Sequence, residues 1–100
     1  MGEKVINIAT DFSRAPAGRY VSDGPNSGER FRNQILVPAL NAGGTVTLEL
    51  DGTRGYGSSF LEEAFGGLIR LGFEAADLLR RIVFKTGDPS LVSEIKSYWR

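Results

Sequence analysis

The chain contains neither cysteine nor histidine. Without cysteine there are no disulfides, no thiol nucleophile and no thiolate metal site. Without histidine the usual general base, the usual metal ligand and the usual partner of a nucleophilic serine are missing together. Most hydrolase mechanisms fail on that count, and the expectation is a protein that is not an enzyme and uses no cofactor. Net charge is also lacking. Twelve basic and twelve acidic residues cancel, so no basic field points to nucleic acid or to an anionic membrane. No long apolar run occurs near the start, "MGEKVINIATDF", which argues against a signal peptide or a membrane span there. Ile6 stands where a myristoylation signal needs Ser or Thr. The expectation is a cytoplasmic protein.

What is present is ordinary for a folded globule. The 100 residues are 41% hydrophobic and 24% charged, enough for one domain, residues 1–100, with its own core. Ile6 and Ile8 share a face in a strand expected from about Lys4 to Ala9. "RYV", residues 19–21, reads as a short strand that could pair with it as a hairpin. Ser27 is placed to cap a helix over residues 28–41, with Glu29 in its first turn. Pro38 should loosen the last turn of that helix, and Gly43 and Gly44 end it. "TVTLEL" alternates strictly and predicts a strand with one buried and one wetter face.

"EAADLLRR" reads as a short helix, with Arg80 and Arg81 as surface charges. "IVFKT" reads as a well-covered strand. Asp88 and Pro89 open a last helix whose apolar face is Leu91, Val92, Ile95, Tyr98 and Trp99. Strands and helices alternate from residue 28 onward. The expected fold is therefore α/β: a small mixed or parallel sheet of about four strands, with helices packed mainly on one face.

The most unusual stretch is "RGYGSSFLEEAFGGLIR", residues 54–70. Glycines and paired serines stand between a strand that ends at Leu50 and a helix that begins near Ser58. In open α/β sheets this is the end at which ligands bind, and free amides at a helix start attract anions. A P-loop needs a lysine after its glycines, and "GTRGYGSS" has none. A nucleophile elbow reads G-x-S-x-G, which "GYGSSF" does not match. Two readings stay open. Ser59 and Glu62 have the spacing of a capping box, which needs no ligand. Alternatively, a serine is displayed at the helix start for a partner or a kinase, where a phosphate would suit the helix dipole. Glu62 and Glu63 are adjacent and diverge, which suggests a solvated face. Asp51 precedes a Gly in turn chemistry. The candidate contact residues are Asp51, Arg54, Tyr56, Gly57, Ser58, Ser59 and Phe60, with Tyr56 or Phe60 exposed if the region meets a flat partner.

"VTLELDGTRGYGSSFLEEAFGGLIR" resembles the centre of the STAS-like domains of unknown function. The likeness extends upstream through "SGERFRNQILVPAL" and downstream through "LLRRIVFKTGDPSLVSEI". These domains are a distant branch of the STAS fold, that of anti-sigma-factor antagonists. The resemblance implies a regulatory module that docks a partner through residues 51–65, with a GHKL-type kinase or regulatory ATPase as the partner class. Ser58 falls where STAS proteins carry their phosphorylated serine, and Ser59 follows it. Gly57 stands in place of the STAS aspartate and Phe60 in place of its glycine, so a docking role is implied more directly than phosphorylation. The alternative is a small-ligand or anion sensor at the same helix start. The expected state is a monomer or weak homodimer, bound to neither nucleic acid nor membrane.

Overall fold

The computed structural model describes residues 2–100. Three strands, β1 (Glu3–Asn7), β2 (Thr45–Glu49) and β3 (Ile82–Lys85), form one parallel sheet in that order. In register, Ile6, Leu48 and Phe84 form one row, and Val5, Thr47 and Val83 form the next on the opposite face. The first row packs into the core with Val46 and Ile82. The second row is open: Val5 is 56% exposed and Val83 45%. Helices therefore cover one face, as the alternation of β2 predicts. Thr47 is an exception on the open face. It is buried between its neighbours, and its hydroxyl donates to Glu3 at 2.8 Å.

The helices that cover the sheet are long, internally varied segments. Helix α2 runs over residues 28–41 as Gly28–Phe31, a wider π-type winding Arg32–Leu36, and Val37–Asn41. Ser27 caps it by accepting from the Arg30 amide at 3.2 Å, as its position predicts. The wide winding ends at Leu36, two residues before Pro38, which has no N–H and whose ring crowds the carbonyl of Gln34. Helix α3 runs over residues 58–70 with a matching wide winding at Glu62–Gly66. Helix α4 (Ala75–Arg81) leads into β3, and α5 (Pro89–Ser97) closes the chain. Helix α1 (Ile8–Asp11) is a single turn after β1. No helix among the described residues is long and apolar enough to cross a membrane.

Several local expectations are corrected. β1 stops at Asn7 because that residue caps α1, its side chain accepting from Thr10 at 3.2 Å. Residues 19–21 form no strand. Their amides donate to carboxylates instead: Tyr20 to Asp23 at 2.8 Å, and Val21 to Glu29 at 2.8 Å. The chain there makes a 3₁₀ turn, Val21–Asp23, and the sheet has three strands, not four. β3 is an edge strand with Val83 exposed, not a well-covered one. Arg81 is not a free surface charge. It donates to the carbonyls of Leu40 at 2.6 Å and Gly44 at 2.9 Å, closing the end of α2.

Helices α2 and α3 approach so closely that two glycines stand at the contact. A methyl group on Gly28 would overlap the Phe60 carbonyl, and one on Gly67 would overlap the Arg32 guanidinium. The first obstacle is backbone and cannot step aside. Gly28→Ala should therefore lower stability by about 2 kcal/mol, an overpacking cost. Gly57→Ala, where an added methyl meets nothing, should change it by under about 0.5 kcal/mol. Urea denaturation of both variants checks this. Equal midpoints would show that the helices separate at little cost.

Candidate functional site

The strand-to-helix connection after β2 is built from the core outward. Leu50 is buried, and the chain turns through Asp51–Thr53. Asp51 accepts from the Thr86 hydroxyl at 2.6 Å and from the Gly87 amide at 3.1 Å, so its carboxylate ties this loop to the one after β3. Arg54 is exposed, and its amide donates to the Arg14 carbonyl at 2.8 Å. Tyr56 is half-buried and its hydroxyl donates to the Leu50 carbonyl at 2.7 Å. Burial raises its phenol pKa above the ordinary value, so it stays protonated at neutral pH.

Phe60 is fully buried, which overturns the expectation of an exposed docking aromatic. Its ring lies 6.0 Å from Phe31 and 6.0 Å from Tyr56. The aromatic that replaces the STAS glycine thus pins the helix start to the core.

Ser58 and Ser59 are both exposed, the first and second residues of a helix whose N-cap is Gly57. No side chain caps this helix, and among the described residues neither serine hydroxyl has a hydrogen-bond partner. The Ser59–Glu62 capping box does not form. The helix begins two residues earlier than that box requires, with Gly57 as its N-cap, and Glu62 pairs with Arg19 and, at 2.7 Å, with Arg70. Glu63 also departs from the solvated face expected of it. It is 8% exposed and pairs with the buried Arg32 at 2.6 Å, while Arg32 also donates to the Glu63 carbonyl at 2.8 Å. Gly66 and Gly67 follow these charges and clear room for the Glu62 and Arg32 side chains.

A cleft of about 400 Å³ opens beside this loop, at the carboxyl ends of β2 and β3. Asp51 and Tyr56 line it. So do Thr86, Asp88, Ser90 and Glu94, which sequence reasoning did not assign to a site. The signal available for them was topological, because neighbouring parallel strands end at the same edge of the sheet. Ser58 and Ser59 do not line the cleft and sit on the open surface beyond it. Asp88 is engaged as the cap of α5, accepting from Ser90 at 3.1 Å and Leu91 at 3.2 Å. Glu94 accepts from the Tyr98 hydroxyl at 2.8 Å, and burial with this carboxylate pushes the Tyr98 phenol up to about 12. No group of three or more potential metal-ligating side chains occurs among the described residues.

A parallel α/β sheet, helices on one face and a serine-bearing helix start at the carboxyl end of its middle strand define a module of the STAS type. Residues 27–91 match the family model described as a STAS-like domain of unknown function (DUF4325), and the chain belongs to that family. Comparison with curated proteins and with solved structures gave no match. The matched span holds α2, β2, the loop, α3, α4 and β3.

Two predictions follow from this geometry. Ser58→Ala and Ser59→Ala should each leave stability within about 0.5 kcal/mol of the parent, since neither side chain caps the helix. A loss of about 1 kcal/mol on Ser59→Ala alone would restore the capping box. The arginine–glutamate cluster should respond differently. Glu63→Ala strands the buried Arg32 and should cost about 3 kcal/mol.

Hydrogen bonds and charge from Arg70, then Arg19, hold the Glu62 carboxyl below its ordinary value of 4.5. That contribution is fully present above pH 4.5 and is lost as pH falls through the depressed value. Glu62→Gln should thus flatten the acid limb of a stability–pH curve. An unchanged limb would show that the pairs carry no linkage.

Proposed function

We propose that the protein is a non-enzymatic regulatory module that docks a protein partner through residues 51–65, with Ser58 as its outward contact or modification point. One observation carries this reading: two adjacent serines with unengaged hydroxyls stand exposed on a helix start fixed rigidly from below by Phe60 and Tyr56. A rigid, polar, shallow surface suits recognition by another protein, because little ordering entropy is lost on docking. Family membership supports a regulatory role, since the STAS fold serves anti-sigma-factor antagonists. By that analogy the partner class is a GHKL-type kinase or regulatory ATPase, and the module acts in the cytoplasm without a cofactor. The lack of histidine and cysteine supports a non-catalytic role.

A second reading has its own support. Gly57 is extended and no side chain caps the helix, so the first amides of α3 are open to an anion. On this reading the module senses a small anionic ligand at Ser58 and Ser59.

Ser58→Glu separates these readings from a purely structural loop. A negative charge suits a helix N-terminus, so the variant should fold normally. Used as bait beside the parent chain and a Val5→Glu control on the open sheet face, it should lose a partner that both others retain. Identical captured proteins for all three baits would defeat partner docking at Ser58. For the sensor reading, titration with inorganic phosphate should shift the amide signals of Ser58 and Ser59. Unmoved signals would defeat that alternative.

A further inference from the structure

The cleft beside the loop after β2 has a polarised lining. From α5 it receives Asp88, Ser90, Leu91 and Glu94. Glu94 follows Asp88 by six residues, which is about 9 Å along a helix axis. Leu91 falls between them, and Leu50 and the half-buried Tyr56 add apolar surface from the side of β2. Asp51 joins Asp88 at one end, because the Thr86 hydroxyl donates to Asp51 at 2.6 Å and accepts from the Asp88 amide at 3.1 Å. The cleft is therefore acidic at both ends and apolar between them.

Asp51, Asp88 and Glu94 are the charged side chains of this lining, and no basic side chain accompanies them. None of the three forms an ion pair among the described residues. Their hydrogen bonds come from neutral donors: Thr86 and Gly87 to Asp51, Ser90 and Leu91 to Asp88, and Tyr98 to Glu94. Such bonds fix the carboxylates in place and leave their charge uncompensated. Bonds from the Ser90 hydroxyl, then the Leu91 amide, also hold the Asp88 carboxyl below its ordinary range, so it is ionised at neutral pH. An anionic ligand would meet three like charges here. A single metal ion is equally ill-matched, since no three potential ligating side chains come together among the described residues. The lining fits a ligand with two separate positive ends and an apolar middle.

We propose that this cleft binds a small aliphatic diamine, with one ammonium held by Asp51 and Asp88, the other by Glu94, and the methylene chain against Leu91. Each ammonium carries three donors, and each carboxylate accepts more bonds than its neutral partners use. Charge-assisted bonds of about 2.8 Å at both ends leave room for a chain of about four or five methylenes between them. The volume of about 400 Å³ admits a molecule of that size together with bridging water. Burying the chain against Leu91, Leu50 and Tyr56 adds a favourable contribution that a bare ion lacks. The site lies at the carboxyl ends of parallel strands, where open α/β sheets hold their ligands. It stands independently of the role given to Ser58 and Ser59, which do not line the cleft.

Titration of the full chain with tetramethylenediamine, followed by amide NMR at low salt, tests this. The amides of Thr86, Gly87, Ser90 and Leu91 should shift saturably, with half-saturation below about 10 mM. Ethylenediamine is too short to reach both ends and butylamine carries one charge, so each should bind about tenfold more weakly. Glu94→Gln keeps an acceptor for Tyr98 and should weaken tetramethylenediamine binding by about tenfold. Asp51→Asn, which still accepts from Thr86 and Gly87, should do the same from the other end. Glu49→Gln, on the open sheet face, should leave binding unchanged. Absence of saturable shifts overturns the proposal. Equal affinity for the three amines does so too, because it would mark diffuse attraction to an acidic surface. Binding that ignores both Glu94→Gln and Asp51→Asn is equally fatal to it.

Discussion

The contact between Arg32 and Glu63 is the constraint around which the rest of the molecule is arranged. Both side chains are almost fully buried, and a buried ion pair is sustained only when each remaining donor and acceptor is also satisfied. Here Arg32 reaches the Glu63 carboxylate, the Glu63 carbonyl and the Asn33 side chain, and Glu63 receives further donors from Arg19 and Arg70. No buried side-chain polar atom among the described residues lacks a partner. The geometry demands that α2 and α3 lie nearly backbone to backbone, which Gly28 and Gly67 permit. It also coincides with the wide windings of both helices, Arg32–Leu36 and Glu62–Gly66. A wide turn carries one extra residue per hydrogen-bonded ring. Adjacent Glu62 and Glu63 share one cluster, because Arg19 and Arg70 each reach both carboxylates, with Glu62 nearer the surface and Glu63 below it.

That clamp sets the stage for the loop. Once α3 is fixed against α2, Phe60 on its first turn falls among Phe31, Phe12 and Tyr56. The aromatic contacts continue through Phe31 and Phe65 to Trp99 and on to Phe84 of the edge strand. Trp99 adds a hydrogen bond from its indole to the Phe65 carbonyl at 3.1 Å, which anchors the last helix as its position suggests. The candidate docking surface and the open edge of β3 therefore rest on one continuous core.

Much of this was legible in the residues, and the rest was not for a consistent reason. β2 was legible because its period of two is local and strict. The caps at Ser27 and Asp88 were legible because an N-cap acts within three residues of itself. The family likeness was carried by a contiguous stretch around "GYGSSFLEEAFGGL". What failed depended on distant partners. Residues 19–21 look like a strand until Glu29 and Asp23 take their amides. Ser59 and Glu62 look like a capping box, but the helix starts from Gly57, and Arg19, 43 residues away in sequence, pairs with Glu62. Glu63 looks solvated until Arg32 arrives from another helix. Phe60 looks like a docking aromatic, because nothing local shows that its side of the helix faces the core.

The open start of α3 gains meaning from the other helices of the same chain. Capping chemistry is used where it is available: Ser27 holds the start of α2, Asn7 that of α1, and Asp88 holds α5 through two amides. At α3 the N-cap is Gly57, which has no side chain, and Ser59 stands at the second helical position, where its hydroxyl cannot cap. The cost of leaving the cap unmade is small, about 1 kcal/mol, because exposed amides are satisfied by water. Glu62 joins the clamp that positions the helix. Two effects are thereby separated that a capping box would have merged. Stability comes from the buried side of α3, through Phe60, Glu63 and Gly67, while its solvent-facing start keeps two hydroxyls and its first amides free of side-chain partners. A surface relieved of structural duty in this way can change charge or bind a partner without unfolding what lies beneath it.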